Sequence, residues 1–170
     1  MKKRIIKHIT DIATSSSNHC CQYTDGDSYY VIDGHRVISY GSVVDANPEI
    51  SINAHAVSVT SNIKQYFFAE HDCVMYQLPP VDEIKDNISK IAGRAYSTKV
   101  IYGNEKFAIN ARYLLKAMEA LNATVCYIDA VNPGKCSIFL HENDDQNSLV
   151  TEIILPIIRK NPNQIGYWKS

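Results

Sequence analysis

The sequence predicts an α+β domain in which two amphipathic helices pack on antiparallel β-sheet, arranged as an internal pseudo-twofold repeat. Three observations carry this expectation. Ile5, Ile6, Ile9 and Ile12 recur at three- and four-residue steps, and so do Leu114, Leu115, Met118 and Leu121, which is the spacing of one buried helix side. After each helix come three short runs rich in β-branched and aromatic residues, separated by turn formers such as Asp25-Gly26 and Asn132-Pro133-Gly134. The order of one helix then strands thus occurs twice, although the halves share little identity.

Taken in order, Lys2 to Thr14 forms the first helix, with Lys3, Lys7 and Asp11 off the apolar side. His19 to Thr24, Ser28 to Asp33 and His35 to Tyr40 follow as strands. Residues 42–96 form a divergent connecting region, because Asn53 to His71 mixes β-branched residues with helix-like spacing at Ile63, Tyr66 and Phe67. Within it, Val81, Ile84, Ile88 and Ile91 predict a short helix over Val81 to Ala92, with Pro80 placed just before its first turn. Tyr96 to Tyr102 reads as a strand, Gly103-Asn104 as a turn, Phe107 to Ile109 as extended, and Asn110 as the N-cap of the second principal helix. Thr124 to Ala130, Lys135 to His141 and Ser148 to Ile157 complete the strands, with a polar turn from Glu142 to Asn147.

At 170 residues the chain is about one domain long, and its hydrophobic fraction of 45% and charged fraction of 21% are those of a folded protein. The expected division is a single domain over residues 1–158 and a C-terminal tail over 159–170, which lacks periodicity. No stretch approaches the ~20 apolar residues that span a bilayer, so a cytoplasmic location with no membrane partner is expected. Five cysteines (Cys20, Cys21, Cys73, Cys126, Cys136) form an odd set without paired metal spacing, which suits reduced thiols. The net charge of -1 gives no global attraction to nucleic acid, yet Lys2, Lys3, Arg4 and Lys7 crowd the start while Glu142, Asp144 and Asp145 crowd a later turn.

Three stretches, in order, the third running from Phe107 to Arg159, resemble the sliding clamp family, the beta subunit of bacterial DNA polymerase III. Val31-Ile32-Asp33-Gly34-His35-Arg36-Val37-Ile38 is similar to the family's Ala-Thr-Asp-Gly-His-Arg-Leu, with Ile32 replacing Thr. Leu78-Pro79-Pro80-Val81-Asp82-Glu83-Ile84 resembles its Phe-Pro-Asp-Tyr-x-x-Val segment at Pro79 and the apolar ends. Asn110-Ala111-Arg112-Tyr113-Leu114-Leu115, continuing through Ala117 to Leu121, is similar to the family's Asn-x-x-Tyr-Leu helix. Leu155-Pro156-Ile157-Ile158-Arg159 resembles its closing Met-Pro-Met-Arg. The motifs of two clamp domains are compressed into one, as in a minimal clamp from a phage or mobile element.

The resemblance implies a pocket for short peptides of polymerase-type partners, lined by Ile32, Gly34, His35, Arg36, Val37, Pro79, Ile84, Ile153 and Leu155. It also implies that Lys2, Lys3, Arg4, Lys7, Arg112 and Lys116 offer cations to the backbone of double-stranded DNA without reading bases, in a chain that encircles DNA as a homo-oligomer. The plainer readings stand beside these: Asp33-Gly34 as an ordinary hairpin turn, and the cations as a solvated helix face. In the tail, Gln164, Ile165, Tyr167 and Trp168 resemble the Gln-Leu-x-Leu-Phe peptide of clamp partners, and would serve as a self-ligand where the tail is not simply disordered.

No serine or cysteine stands in a nucleophile context beside His35 or His71, so no catalytic residue and no enzyme activity is expected. His71-Asp72-Cys73 and His19-Cys20-Cys21 lack zinc spacing, so no metal or other cofactor is expected either. The expected function is a clamp-like replication accessory protein. The alternative is a clamp mimic, or a modulator of a host clamp, that does not bind DNA.

Overall fold

The described residues of the computed structural model are 2–15, 21–24, 28–42, 73–92, 100–103, 107–129 and 137–157. The isoleucine stripe near the start forms helix α1 (Lys3–Ala13), whose Ile5, Ile9 and Ile12 are fully buried. Helix α2 (Val81–Ala92) buries Ile84 and Ile88, and helix α3 (Ala111–Leu121) buries Leu114, Met118 and Leu121. At the start of α3 the Asn110 side chain accepts from the Arg112 backbone N–H at 2.9 Å, satisfying a donor that has no partner within the helix.

The strands are β1 (Cys21–Thr24), β2 (Ser28–Ile32), β3 (Arg36–Ser42), β4 (Cys73–Gln77), β5 (Ile101–Gly103), β6 (Ala108–Asn110), β7 (Val125–Asp129), β8 (Ile138–His141) and β9 (Val150–Ile154). Seven of them make one sheet in the order β1-β2-β3-β9-β8-β7-β4, with every pairing antiparallel, and β5-β6 form a separate pair. The third strand of the first half, β3, meets the third strand of the second half, β9, so the predicted pseudo-twofold repeat closes at the centre of one sheet.

Side chains alternate across that sheet. Val31, Ile38, Ile138, Leu140, Ile128 and Ile154 face the helices in the main core, whereas Tyr30, Val37 and Ile153 form a second buried cluster. The three helices of the described residues all contribute to the main core, the one predicted over Val81 to Ala92 included.

Several strand ends differ from expectation. β9 is shorter than Ser148 to Ile157, because Ser148 is bonded back to the Asp145 carbonyl at 2.9 Å in the preceding turn and Pro156 has no N–H to continue the ladder. Gly103 ends β5 opposite Ala108 rather than turning, and a Cβ there would lie 2.2 Å from the Phe107 carbonyl oxygen, so only glycine fits. β4 was not anticipated. The Asp25-Gly26 and Asn132-Pro133-Gly134 turns, Asn53 to His71, and residues 158–170 with the candidate self-ligand lie outside the described residues.

Candidate partner-binding site

The β2–β3 turn is built by one carboxylate. Asp33 Oδ1 accepts the backbone N–H groups of His35 at 3.0 Å and Arg36 at 2.9 Å, while Oδ2 accepts Arg36 Nε at 2.9 Å and Nη2 at 2.6 Å. Both side chains are buried, and Gly34 takes φ +84°, a left-handed conformation that costs glycine nothing. The Asp-Gly turn signal is therefore a real hairpin turn, and its aspartate also fixes the arginine.

Tyr113, in the first turn of α3, joins helix to turn. The Arg36 guanidinium carbon lies 4.3 Å from the centre of its ring, and the His35 ring stacks on it at 5.8 Å. The Leu155 N–H donates to the His35 carbonyl at 2.9 Å, while Arg36 pairs with Ile154 and Val37 with Ile153 across the β3–β9 ladder. The cluster of Tyr30, Val37 and Ile153 is flanked by half-buried Ile32, Phe139 and Leu155.

Seven of the nine expected pocket residues, Ile32, Gly34, His35, Arg36, Val37, Ile153 and Leu155, thus occupy one end of the β3–β9 junction. Their roles in the surface differ. Val37 and Ile153 are fully buried and form its floor; Gly34 and His35 are exposed, and Ile32 and Leu155 are half-buried.

Pro79 and Ile84 do not join them. β4, which leads to Pro79, is separated from β9 by β8 and β7, about 14 Å at the usual strand spacing. The ladders also put Gln77 in the row of Val125, at the opposite end of the sheet from Leu155. Ile84 is fully buried in the core under the helices. Its helical spacing with Ile88 already signalled core, and the motif match outweighed that signal.

The expected DNA-backbone cations are divided by their partners. Lys2 reaches Glu142 at 3.3 Å, Lys7 pairs with Asp11 at 2.8 Å, and Arg4 Nε donates to the Ala120 carbonyl at 2.9 Å. Lys3, Arg112 and Lys116 are exposed. Arg4, Lys7 and Lys116 line one groove of about 310 Å³ between α1 and α3, together with His8, Asp11, Glu119 and Ala120. Glu119 also pairs with Lys85 on α2 at 2.7 Å, which raises the Lys85 pKa through that hydrogen bond. The groove alternates cations with acids and has no uniform sign.

At the floor of this groove His8 Nε2 lies 2.6 Å from Glu152 Oε2 on β9, both side chains buried. Sequence reasoning missed this pair, although His8 sits on the Ile5–Ile9–Ile12 stripe and Glu152 shares the alternation of Val150 and Ile154. Cys126 is a free thiol, and burial pushes its pKa up to about 12, which keeps it protonated. No group of three or more His, Cys, Asp or Glu among the described residues could hold a metal ion; His19, Cys20, His71 and Asp72 lie outside them. No described helix is long and apolar enough to cross a membrane.

No family model matches the sequence, and no curated protein matches it. Solved structures do match. DNA polymerase III subunit beta from Borrelia burgdorferi is 12% identical with a TM-score of 0.54, over 94% of this chain and 62% of that one. The Thermotoga maritima beta subunit is 9% identical with a TM-score of 0.53, over 91% and 63%. The Helicobacter pylori beta clamp bound to a DNA ligase peptide is 12% identical with a TM-score of 0.50, over 92% and 63%. This chain therefore spans less than two thirds of the clamps it matches. At these identities the likeness is one of fold, and the fold is that of the DNA polymerase III beta subunits, the sliding clamps.

Proposed function

We propose that this chain is a clamp-like accessory protein of DNA replication, a single domain that binds extended peptides of polymerase-type partners at the β2–β3 turn. The observation that carries this reading is the meeting of the Asp33 turn with the end of β9. Exposed His35 stacks on half-buried Tyr113 on the helix side of this end of the sheet, and half-buried Ile32 and Leu155 flank an apolar floor of Val37 and Ile153 on the other face. A shallow apolar surface edged by a few polar groups is what anchors one or two large side chains of an extended peptide. The peptide-bound clamp among the fold neighbours supports the same reading. Its chemistry is binding rather than catalysis.

The test is the affinity of a labelled Gln-Leu-x-Leu-Phe peptide, measured by fluorescence anisotropy. His35→Ala and Leu155→Asp are each expected to weaken it about tenfold or more, the loss of about 1.4 kcal/mol. No binding by the parent chain, or binding indifferent to both substitutions, overturns the reading. Pro79→Ala leaves the affinity unchanged.

Contact with duplex DNA belongs to the same proposal, through Lys3, Arg112 and Lys116 on the helix layer, where their exposure leaves them available to phosphates. One observation favours the second reading, a modulator that leaves DNA alone: Asp11 and Glu119 neutralise the groove that Arg4, Lys7 and Lys116 share. Binding to nicked circular DNA that falls steeply with salt, and is weakened by Lys116→Glu, supports the first; the absence of such binding supports the second.

A further inference from the structure

The groove between α1 and α3 has a floor that the peptide site does not use. Its lining includes His8, only 5% exposed, whose Nε2 is engaged by Glu152 at 2.6 Å. Nδ1 has no partner among the described residues, and it is not one of their two buried unpaired atoms, Arg36 Nη1 and Glu152 Oε1, so it opens into the groove. Glu152 is fully buried, and a net charge on the pair would be costly there. The proton arrangements that leave the pair uncharged put one hydrogen between Nε2 and Oε2 and another on Nδ1, whichever partner holds the first. The groove floor is therefore a buried N–H donor without an acceptor.

Two cations of the groove are in the same position. Its acids are already engaged, Asp11 by Lys7 at 2.8 Å and Glu119 by Lys85 at 2.7 Å. Arg4 commits only Nε, to the Ala120 carbonyl at 2.9 Å, and exposed Lys116 has no partner among the described residues. Arg4 and His8 stand one turn apart on α1, and Lys116 and Ala120 one turn apart on α3, so the Arg4–Ala120 bond sets these two helix faces against each other.

We propose that this groove binds a small phosphate, free or as a monoester, through the His8 Nδ1–H, the terminal guanidinium nitrogens of Arg4 and the Lys116 ammonium. Three donor groups from two helices call for an anion with three terminal oxygens, which a phosphomonoester offers and a carboxylate or a phosphodiester does not. The volume of about 310 Å³ lies at the lower end of small-molecule sites. Asp11 and Glu119 in the same lining repel the further charges of a polyanion, so the occupant is a compact molecule and not a nucleic-acid strand. The site does not depend on the peptide-binding reading.

Nitrogen NMR of the full chain tests it, with inorganic phosphate titrated against sodium chloride of equal ionic strength at constant pH. Phosphate is expected to move the His8 Nδ1 resonance saturably, and chloride is not. Lys116→Gln and Arg4→Gln are each expected to weaken the phosphate affinity about tenfold with unchanged circular dichroism, since both side chains are exposed. Dimethyl phosphate, a diester with two free oxygens, is expected to leave the resonance in place. Ribose 5-phosphate in the same titration separates the two sources, a monoester where it binds more tightly than inorganic phosphate and free phosphate where it binds less tightly. A His8 resonance that ignores both overturns the proposal, as does an affinity indifferent to both substitutions, or dimethyl phosphate that acts as well as phosphate.

Discussion

Two buried ionisable pairs among the described residues each leave one side-chain atom without a partner, Arg36 Nη1 and Glu152 Oε1, but they differ in sequence span and in the hydrogen bonds the carboxylate accepts. Asp33 and Arg36 are three residues apart, and the aspartate accepts four hydrogen bonds, two from backbone and two from the guanidinium. His8 and Glu152 are 144 residues apart and share a single hydrogen bond, while Glu152 Oε1 has no partner among the described residues. The local pair builds a turn and aims His35 and Tyr113. The distant pair fixes α1 to the middle of β9, where the strand row of Ile38, Glu152 and Leu140 would otherwise be wholly apolar. One is a shape-forming device and the other a docking point, and their responses to substitution should separate accordingly.

The largest expected effect is at the turn. Asp33→Ala removes all four acceptor contacts and leaves a buried guanidinium beside Tyr113, a change expected to cost about 3–5 kcal/mol in urea unfolding. A cost below about 1 kcal/mol would mean that the backbone turn holds without its aspartate. Next comes the docking pair. His8→Leu alone leaves the Glu152 carboxyl buried without any partner and is expected to cost about 1–3 kcal/mol. His8→Leu with Glu152→Leu replaces both polar groups by apolar ones and is expected to be near neutral, or stabilising, relative to the parent. If the double substitution costs as much as the sum of the singles, the coupling energy is zero, the two groups act independently and the docking reading is wrong. The same cycle has no counterpart at Asp33, because that carboxylate also caps backbone donors that no leucine can satisfy.

The contrast also explains which parts of the molecule were legible in the sequence. Helix stripes, the Asn110 cap and the Asp33-Gly34 turn are set by residues within a few positions of one another, and they appear where the spacing puts them. The meeting of β3 with β9 and the position of β4 at the sheet edge depend on long-range pairing, for which periodicity carries no information. Pro79 and Ile84 lie away from the Asp33 turn for that reason, since adjacency in a motif does not establish adjacency in space. Tyr113 was read only as part of a helix motif. Yet it lies off the Leu114–Met118–Leu121 stripe beside the cap, and a large aromatic there has to find another surface, which turns out to be Arg36 and His35. His8 left the converse signal, a polar residue on an apolar stripe.

The smallest expected effect lies on the other face of the sheet and sharpens the comparison by supplying a third pairing, uncharged on one side. His141 Nδ1 lies 2.9 Å from Thr151 Oγ1, and its ring meets Tyr127 edge-on at 5.3 Å. Burial holds its pKa below the ordinary 6.5, with Asp145 and Asp144 opposing only in part. A histidine whose pKa is lower folded than unfolded favours the native state in its neutral form. Its contribution is therefore complete above 6.5 and is lost as pH falls from there through the folded value. Unfolding free energies measured from pH 7.5 to 5 should decline in the parent chain, and His141→Gln should flatten that part of the curve while leaving the His8–Glu152 cycle unchanged. If the slope persists in His141→Gln, the acid sensitivity does not reside in this imidazole, and its burial against Thr151 and Tyr127 is without consequence for stability across that range.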